Sequence, residues 1–237
     1  MLNFFAIIGG MGTLATQSFV CTLNKATAAS KDQDFLNYLV FNDASIPDRT
    51  AYITDNSQDN PLPVLAQDVQ QATDMGASFI VMACNTAHYF YPQLQELTTV
   101  PILHMPELAI DWTKEHYDPS TYPRIGFMGT EGTKKAGIYR NLANKAGYQL
   151  VEPEQLVQDR INTLIYEEVK SGKPSRLHYE DVIQELLTDY NCDTVLLGCT
   201  ELSVLNETFP LPQLPIIDAQ AITIAQTVQL AKAQQGK

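Results

Sequence analysis

Ser78-Phe79-Ile80-Val81-Met82-Ala83-Cys84-Asn85-Thr86 decides how this chain folds: a short apolar run ends in a cysteine and passes at once into small polar residues. Such a run reads as a buried parallel strand that delivers a thiol to a strand-to-helix turn. The pattern returns 115 positions later in Thr194-Val195-Leu196-Leu197-Gly198-Cys199, followed by Thr200-Glu201. Other segments repeat at similar offsets. Ala6-Ile7-Ile8-Gly9-Gly10-Met11-Gly12-Thr13 echoes Arg124-Ile125-Gly126-Phe127-Met128-Gly129-Thr130, and Val100-Pro101-Ile102-Leu103 echoes Leu214-Pro215-Ile216-Ile217. Two similar halves, each with one thiol at a strand end, imply two domains and a cleft with a thiol on either wall.

Working outward, Asn3–Ile8 reads as a buried first strand, Thr13–Ala29 as a helix, and Phe35–Phe41 as a strand followed by a polar loop over Asn42–Thr50. Leu62–Met75 has helical spacing and stops at Gly76; Asn85–Leu97 is helical in part, interrupted by Pro92. Pro101–Leu103 is a short strand, and Pro106–His116 a helix that carries the chain into the second half. There the order repeats: strand Arg124–Met128, helix Lys134–Ala146 ended by Gly147, strand Gln149–Val151, helical stretches Pro153–Lys170 and Pro174–Tyr190, then the strand into Cys199. Pro215–Ile217 closes the set, and Asp218 is placed as N-cap of a final helix over Ala219–Gln235. Alternating strands and helices of these lengths give an α/β fold of two pseudo-symmetric domains, each a short parallel sheet flanked by helices, with the active site in the cleft between them. The expected division is 1–105, joined by the C-terminal helix 218–237, against 106–217.

With 27 acidic and 15 basic residues the formal net charge is −12, which argues against a nucleic-acid or anionic-membrane surface and makes any cation near the thiols notable. No segment reads as a membrane span or a signal peptide. Four cysteines without tight spacing fit a reducing compartment, so the chain is read as cytoplasmic. Cys21 and Cys192 are read as small buried hydrophobes. The four histidines, His88, His104, His116 and His178, have no metal-ligand spacing, and no nucleotide or pyridoxal motif appears, so neither a metal nor a cofactor is expected.

A helix start lowers a thiol's pKa, and a thiol tuned toward neutrality can both take and give a proton. One thiol on each wall would treat two mirror-image substrates alike. Gly9–Gly12 and the Gly129-Thr130-Glu131-Gly132-Thr133 turn offer close backbone approach at helix starts, suited to a carboxylate. The hydroxyls of Thr13, Thr86, Thr130, Thr133 and Thr200 add donors or act as N-caps. Glu201, two positions after Cys199, can orient that thiol, receive its proton, or stabilise its helix, and His88 lies one turn beyond Cys84.

GGMGTLAT at 9–16, SIPDRT at 45–50, ACNTAH at 83–88, GTEGT at 129–133 and LGCTEL at 197–202 together resemble the aspartate racemase family, within the cofactor-independent aspartate/glutamate racemase superfamily. The resemblance covers nearly the whole chain. It favours the aspartate branch, because the second cysteine precedes Thr-Glu where glutamate racemases have Thr-His. By motif, it implies that Cys84 and Cys199 are the catalytic thiols, and that Arg49 and Lys170 hold the substrate's side-chain carboxylate. Asn85, Thr86, Thr130 and Thr200 would bind the α-carboxylate and amino group, with Met11 and Thr13 in the loop facing the substrate. Thr13 stands where the family usually has proline, and Phe35 where histidine is common. The implied activity is two-base racemisation of aspartate, usually by a homodimer. Glutamate or broader specificity, a maleate-type isomerase with a nucleophilic cysteine, and an acidic amino-acid binding protein are the alternatives.

Overall fold

The computed structural model describes residues 3–236, so Met1 and Leu2 of the apolar N-terminal stretch and Lys237 of the final helix lie outside the described residues. The chain forms two compact units, residues 1–105 with 220–237, and residues 106–219.

In the first unit, β1 (Phe5–Gly9) leads through a glycine turn into α1 (Thr13–Thr27). There follow β2 (Tyr38–Asn42), α2 (Arg49–Thr54), α3 (Leu62–Asp74), β3 (Ile80–Met82), α4 (Tyr91–Glu96) and β4 (Ile102–Leu103). All pairings are parallel, in the order β2-β1-β3-β4. The helices turn apolar stripes to this sheet: Ala15, Phe19 and Leu23 from α1, Leu65, Val69 and Ala72 from α3. Each of the buried Phe, Leu and Val side chains contributes ~1.5–3 kcal/mol. Ile8, Ile80 and Met82 meet the α3 stripe in one core.

The chain passes into the second unit along α5 (Met105–His116). It continues through β5 (Arg124–Gly129), α6 (Glu131–Ala136), α7 (Ile138–Lys145), β6 (Gln149–Val151) and α8 (Gln155–Asn162). A π-helical segment over Thr163–Val169 follows, then α9 (Arg176–Thr188), β7 (Thr194–Gly198), α10 (Thr200–Thr208) and β8 (Ile216–Asp218). This sheet is also parallel, in the order β6-β5-β7-β8. The last helix, α11 (Ala219–Gln235), takes the chain back to the first unit, where the Gln235 amide bonds both the N–H and the C=O of Asn37. Among the described residues no helix is long and apolar enough to cross a membrane.

Several local expectations are corrected. The polar loop over 42–50 gives way at Arg49 to α2, because the Asp48 carboxylate caps it, accepting the Ala51 N–H at 2.7 Å. The helix expected over 134–146 begins earlier, at Glu131, and breaks at Gly137, which adopts φ +66°. The stretch 153–170 is α-helical only to Asn162 before its turns widen. Pro92 falls in the first turn of α4, where no intrahelical N–H is required. Cys21 is exposed rather than buried, since it lies opposite the Phe19–Leu23 stripe of α1.

Two features give stability predictions. Gly10 has φ +85°, and a Cβ there would lie 2.3 Å from the carbonyl of Asp43. Gly10→Ala is therefore expected to cost about 2–4 kcal/mol in urea unfolding; an unchanged midpoint would refute the clash. Asp68, 6% exposed on the inner face of α3, is pushed up from 3.8 to about 6 by burial and then by the nearby Asp43 carboxylate. The folded state thus binds this proton more tightly than the unfolded chain. Its contribution is complete below pH 4 and is lost as pH rises to about 6. Asp68→Asn should stabilise the protein by about 1–2 kcal/mol at pH 7.5 and hardly at all at pH 4, discounting for solvent screening. Equal changes in Tm at the two pH values would contradict that linkage.

Candidate active site

Both sheets have the chain running from one central strand to an edge and then returning to the other side, so the switch point lies beyond β1 and β3 in one unit and β5 and β7 in the other. Open parallel sheets bind ligands at such points, at the carboxyl ends of the strands. The cysteine motifs fall there. Ile8 pairs with Met82, and the Ala83 N–H donates to the Ile8 carbonyl at 2.9 Å, bringing Cys84 beside the glycine turn. Gly129 pairs with Gly198, bringing Cys199 beside Thr130.

In the first unit Thr16 holds the glycine turn: its Oγ1 accepts the Gly10 N–H at 3.0 Å and donates to the Gly12 carbonyl at 2.9 Å. Met11 is buried, whereas Thr13 is exposed, its hydroxyl accepting from Asn42 Nδ2 at 3.4 Å. Arg49 ties this turn to its own loop. Nη2 donates to the Met11 carbonyl at 2.8 Å, and Nη1 to the Pro47 and Ile46 carbonyls at 3.0 and 3.4 Å. Its Nε is buried with no hydrogen-bond partner among the described residues. An unsatisfied guanidinium N–H is costly in a dry site, and a carboxylate is its natural complement.

Cys84, Asn85 and Thr86 are all buried. A 3-10 segment, Thr86–Phe90, follows Cys84 where the sequence pattern indicated an α-helix start, so backbone dipole support is shorter there than at Cys199. His88 is structural. Burial pushes its pKa down to about 4, keeping the ring neutral. The tautomer with hydrogen on Nδ1 donates to the Cys84 carbonyl at 2.9 Å, while Nε2 accepts the Met105 N–H at 3.2 Å.

In the second unit Thr130 caps α6, its hydroxyl accepting the Thr133 N–H at 3.2 Å. The buried Gln158 donates to the Gly129 carbonyl at 2.9 Å. Phe127 lies over the Gly129–Gly198 pair, where a Cβ on either glycine would come within 2.4 Å of its ring. Cys199 is the N-cap of α10, with φ −149° and ψ 136°. Its Sγ donates to Glu201 Oε2 at 3.0 Å, and the Thr200 hydroxyl donates to the same oxygen at 3.2 Å. Glu201 is 5% exposed. Lys170 follows the π-helical segment, exposed, with Nζ 4.5 Å from the centre of the Tyr166 ring.

The first unit thus groups Met11, Arg49, Cys84, Asn85 and Thr86 near one switch point, with Thr13 on the outer side of the turn. The second groups Thr130, Cys199 and Thr200 at the other. Thr16 and Gln158 are not among the residues singled out from the sequence; a hydroxyl four positions past a glycine turn is a signal for the first, but nothing in the sequence marks Gln158.

Residues 8–227 match the Asp/Glu/hydantoin racemase family model, and the chain belongs to that family. It is 26% identical over 238 residues to the broad specificity amino-acid racemase RacX of Bacillus subtilis, spanning 97% of this chain and 98% of that protein. The glutamate racemase of Persephonella marina is 30% identical over 167 residues, which cover 62% of this chain and 56% of that protein. Among solved structures, the aspartate racemase of Picrophilus torridus superposes with a TM-score of 0.79 at 27% identity over 98% of both chains.

Proposed function

We propose that the protein interconverts L- and D-aspartate without a cofactor, using Cys84 and Cys199 as a two-base pair. The observation that carries this reading is the placement of the two thiols at matching switch points of two sheets with the same strand order. One sulfur, as thiolate, removes the α-proton while the other, as thiol, protonates the opposite face of Cα. The reverse reaction exchanges their roles, so atoms and charges balance with no oxidant or further reactant.

The difficulty is the low acidity of a Cα–H next to a carboxylate. N–H groups and hydroxyls at the helix starts after Thr130 and Cys199, with Asn85 and Thr86, would bind that carboxylate and stabilise the charge that develops on it. Arg49, through Nε, and Lys170 would hold the side-chain carboxylate. A broader set of amino acids is the second reading. It is favoured by the commitment of Arg49 Nη1 and Nη2 to backbone carbonyls, which leaves Nε as its unpartnered atom. We expect a homodimer in a reducing, cytoplasmic setting; sedimentation tests the former.

Proton NMR in D₂O with L- and D-aspartate tests the reading. Loss of the Cα–H signal from both enantiomers is the expected result. Exchange of glutamate or alanine alone would move the substrate and keep the chemistry. No exchange of any amino acid would sink the racemase reading and bring forward a diacid isomerase or a binding protein.

A further inference from the structure

The segment that leads to Lys170 is built unlike the rest of the molecule. From Thr163 to Val169 the backbone is π-helical, a rare geometry that collects at functional sites because it costs regular hydrogen bonding. It keeps Leu164, Ile165 and Val169 in the core while Lys170 reaches solvent. Tyr166 lies four residues before Lys170, on the same face, and its ring sits 4.5 Å below the ammonium.

The chain beyond Lys170 is exposed from Ser171 to Lys173, and the Glu168 residue pins it. The Glu168 carbonyl accepts the Lys173 N–H at 2.9 Å and the Ser171 hydroxyl at 3.2 Å. Its carboxylate accepts the Ser175 N–H at 2.9 Å through Oε2 and meets His178 Nδ1 at 2.6 Å through Oε1. Both side chains of that pair are mostly buried, and Ser175 also caps α9 by accepting the His178 N–H. A single residue thus ties an exposed turn to the start of α9, with Lys170 at the turn's leading edge. Lysine carries a long, flexible stem, so a cation meant to meet a carboxylate at a fixed distance needs such support.

We propose that Tyr166, Glu168 and His178 are positioning residues that hold Lys170 where it meets the distal carboxylate of an acidic amino acid. This rests on the reading of Lys170 as a substrate-binding residue. None of the three needs to touch substrate: Tyr166 sets the direction of the ammonium, and the Glu168–His178 pair sets the height of the turn.

The test compares KM and kcat for L-aspartate in Tyr166→Leu, Tyr166→Phe, Glu168→Gln, His178→Gln and Lys170→Met. Tyr166→Leu is expected to raise KM about fivefold with little change in kcat, and Tyr166→Phe, which keeps the ring, to stay near the parent. Glu168→Gln and His178→Gln should each raise KM by about tenfold. Combining any of these with Lys170→Met should add nothing to Lys170→Met alone. If Lys170→Met raises KM while Tyr166→Leu and His178→Gln do not, the proposal is wrong and Lys170 needs no support. If Lys170→Met leaves KM unchanged, the role of Lys170 falls and the proposal with it. A fall in kcat together with lost thermal stability would reassign the Glu168–His178 pair to the fold; Tyr166→Leu then decides the proposal alone.

Discussion

Cys84→Ser and Cys199→Ser are each expected to lower aspartate racemisation by about 10³-fold or more, yet to leave different residual chemistry. Racemisation needs a base on one face of Cα and an acid on the other. Hydrogen exchange needs less: one thiolate can remove the proton, swap it for solvent deuterium, and return it to the same face. Replacing one sulfur by a hydroxyl, whose anion is inaccessible near neutrality, therefore removes abstraction from one enantiomer only. Each variant should exchange one enantiomer without inverting it, and the two variants should choose opposite enantiomers. Exchange of both enantiomers by either variant would contradict the assignment of one thiol to each face.

The second large effect is expected at Glu201. Its carboxylate accepts the Cys199 proton at 3.0 Å in a buried setting. A negative charge that close opposes formation of the thiolate and favours the thiol. In Glu201→Gln the charge is gone while shape and hydrogen bonding are kept. Alkylation of Cys199 by iodoacetamide, followed by peptide mass spectrometry, should then shift to lower pH. Over the same pH range kcat should fall about 10²-fold, with the greater loss in the direction that uses Cys199 as acid. An unmoved alkylation profile, with Cys84 as internal reference, would show that Glu201 only stabilises the start of α10.

The fold is legible in this sequence where one kind of force decides. Buried strands such as β5 and β7 are apolar runs closed by glycine, and burial on both faces leaves no other pattern. The position of each cysteine at a strand end is legible for the same reason, since the apolar run stops at Cys-Asn-Thr and at Cys-Thr-Glu. Asp48 is a good cap and marks Arg49 as a helix start, while Pro47 marks the same stretch as a loop; the cap prevails. The break at Gly137 is hidden in the sequence because helical spacing continues past it. The π-helical turns at 163–169 have no local code: their wider spiral follows from what Leu164, Ile165 and Val169 pack against. The contacts of Arg49 with three backbone carbonyls were equally hidden, since they depend on how the 45–50 loop meets the glycine turn.

The return of α11 to the first unit sets an order of assembly. Residues 106–219 are contiguous, so the unit bearing Cys199 has all its parts as soon as it is synthesised. The unit bearing Cys84 must wait for its last helix, whose Gln235 grips Asn37 across 198 positions of sequence. Contacts that distant close late and slowly. The half bearing Cys199 is therefore self-contained in sequence, whereas the first sheet to be made is completed only by the last helix of the chain.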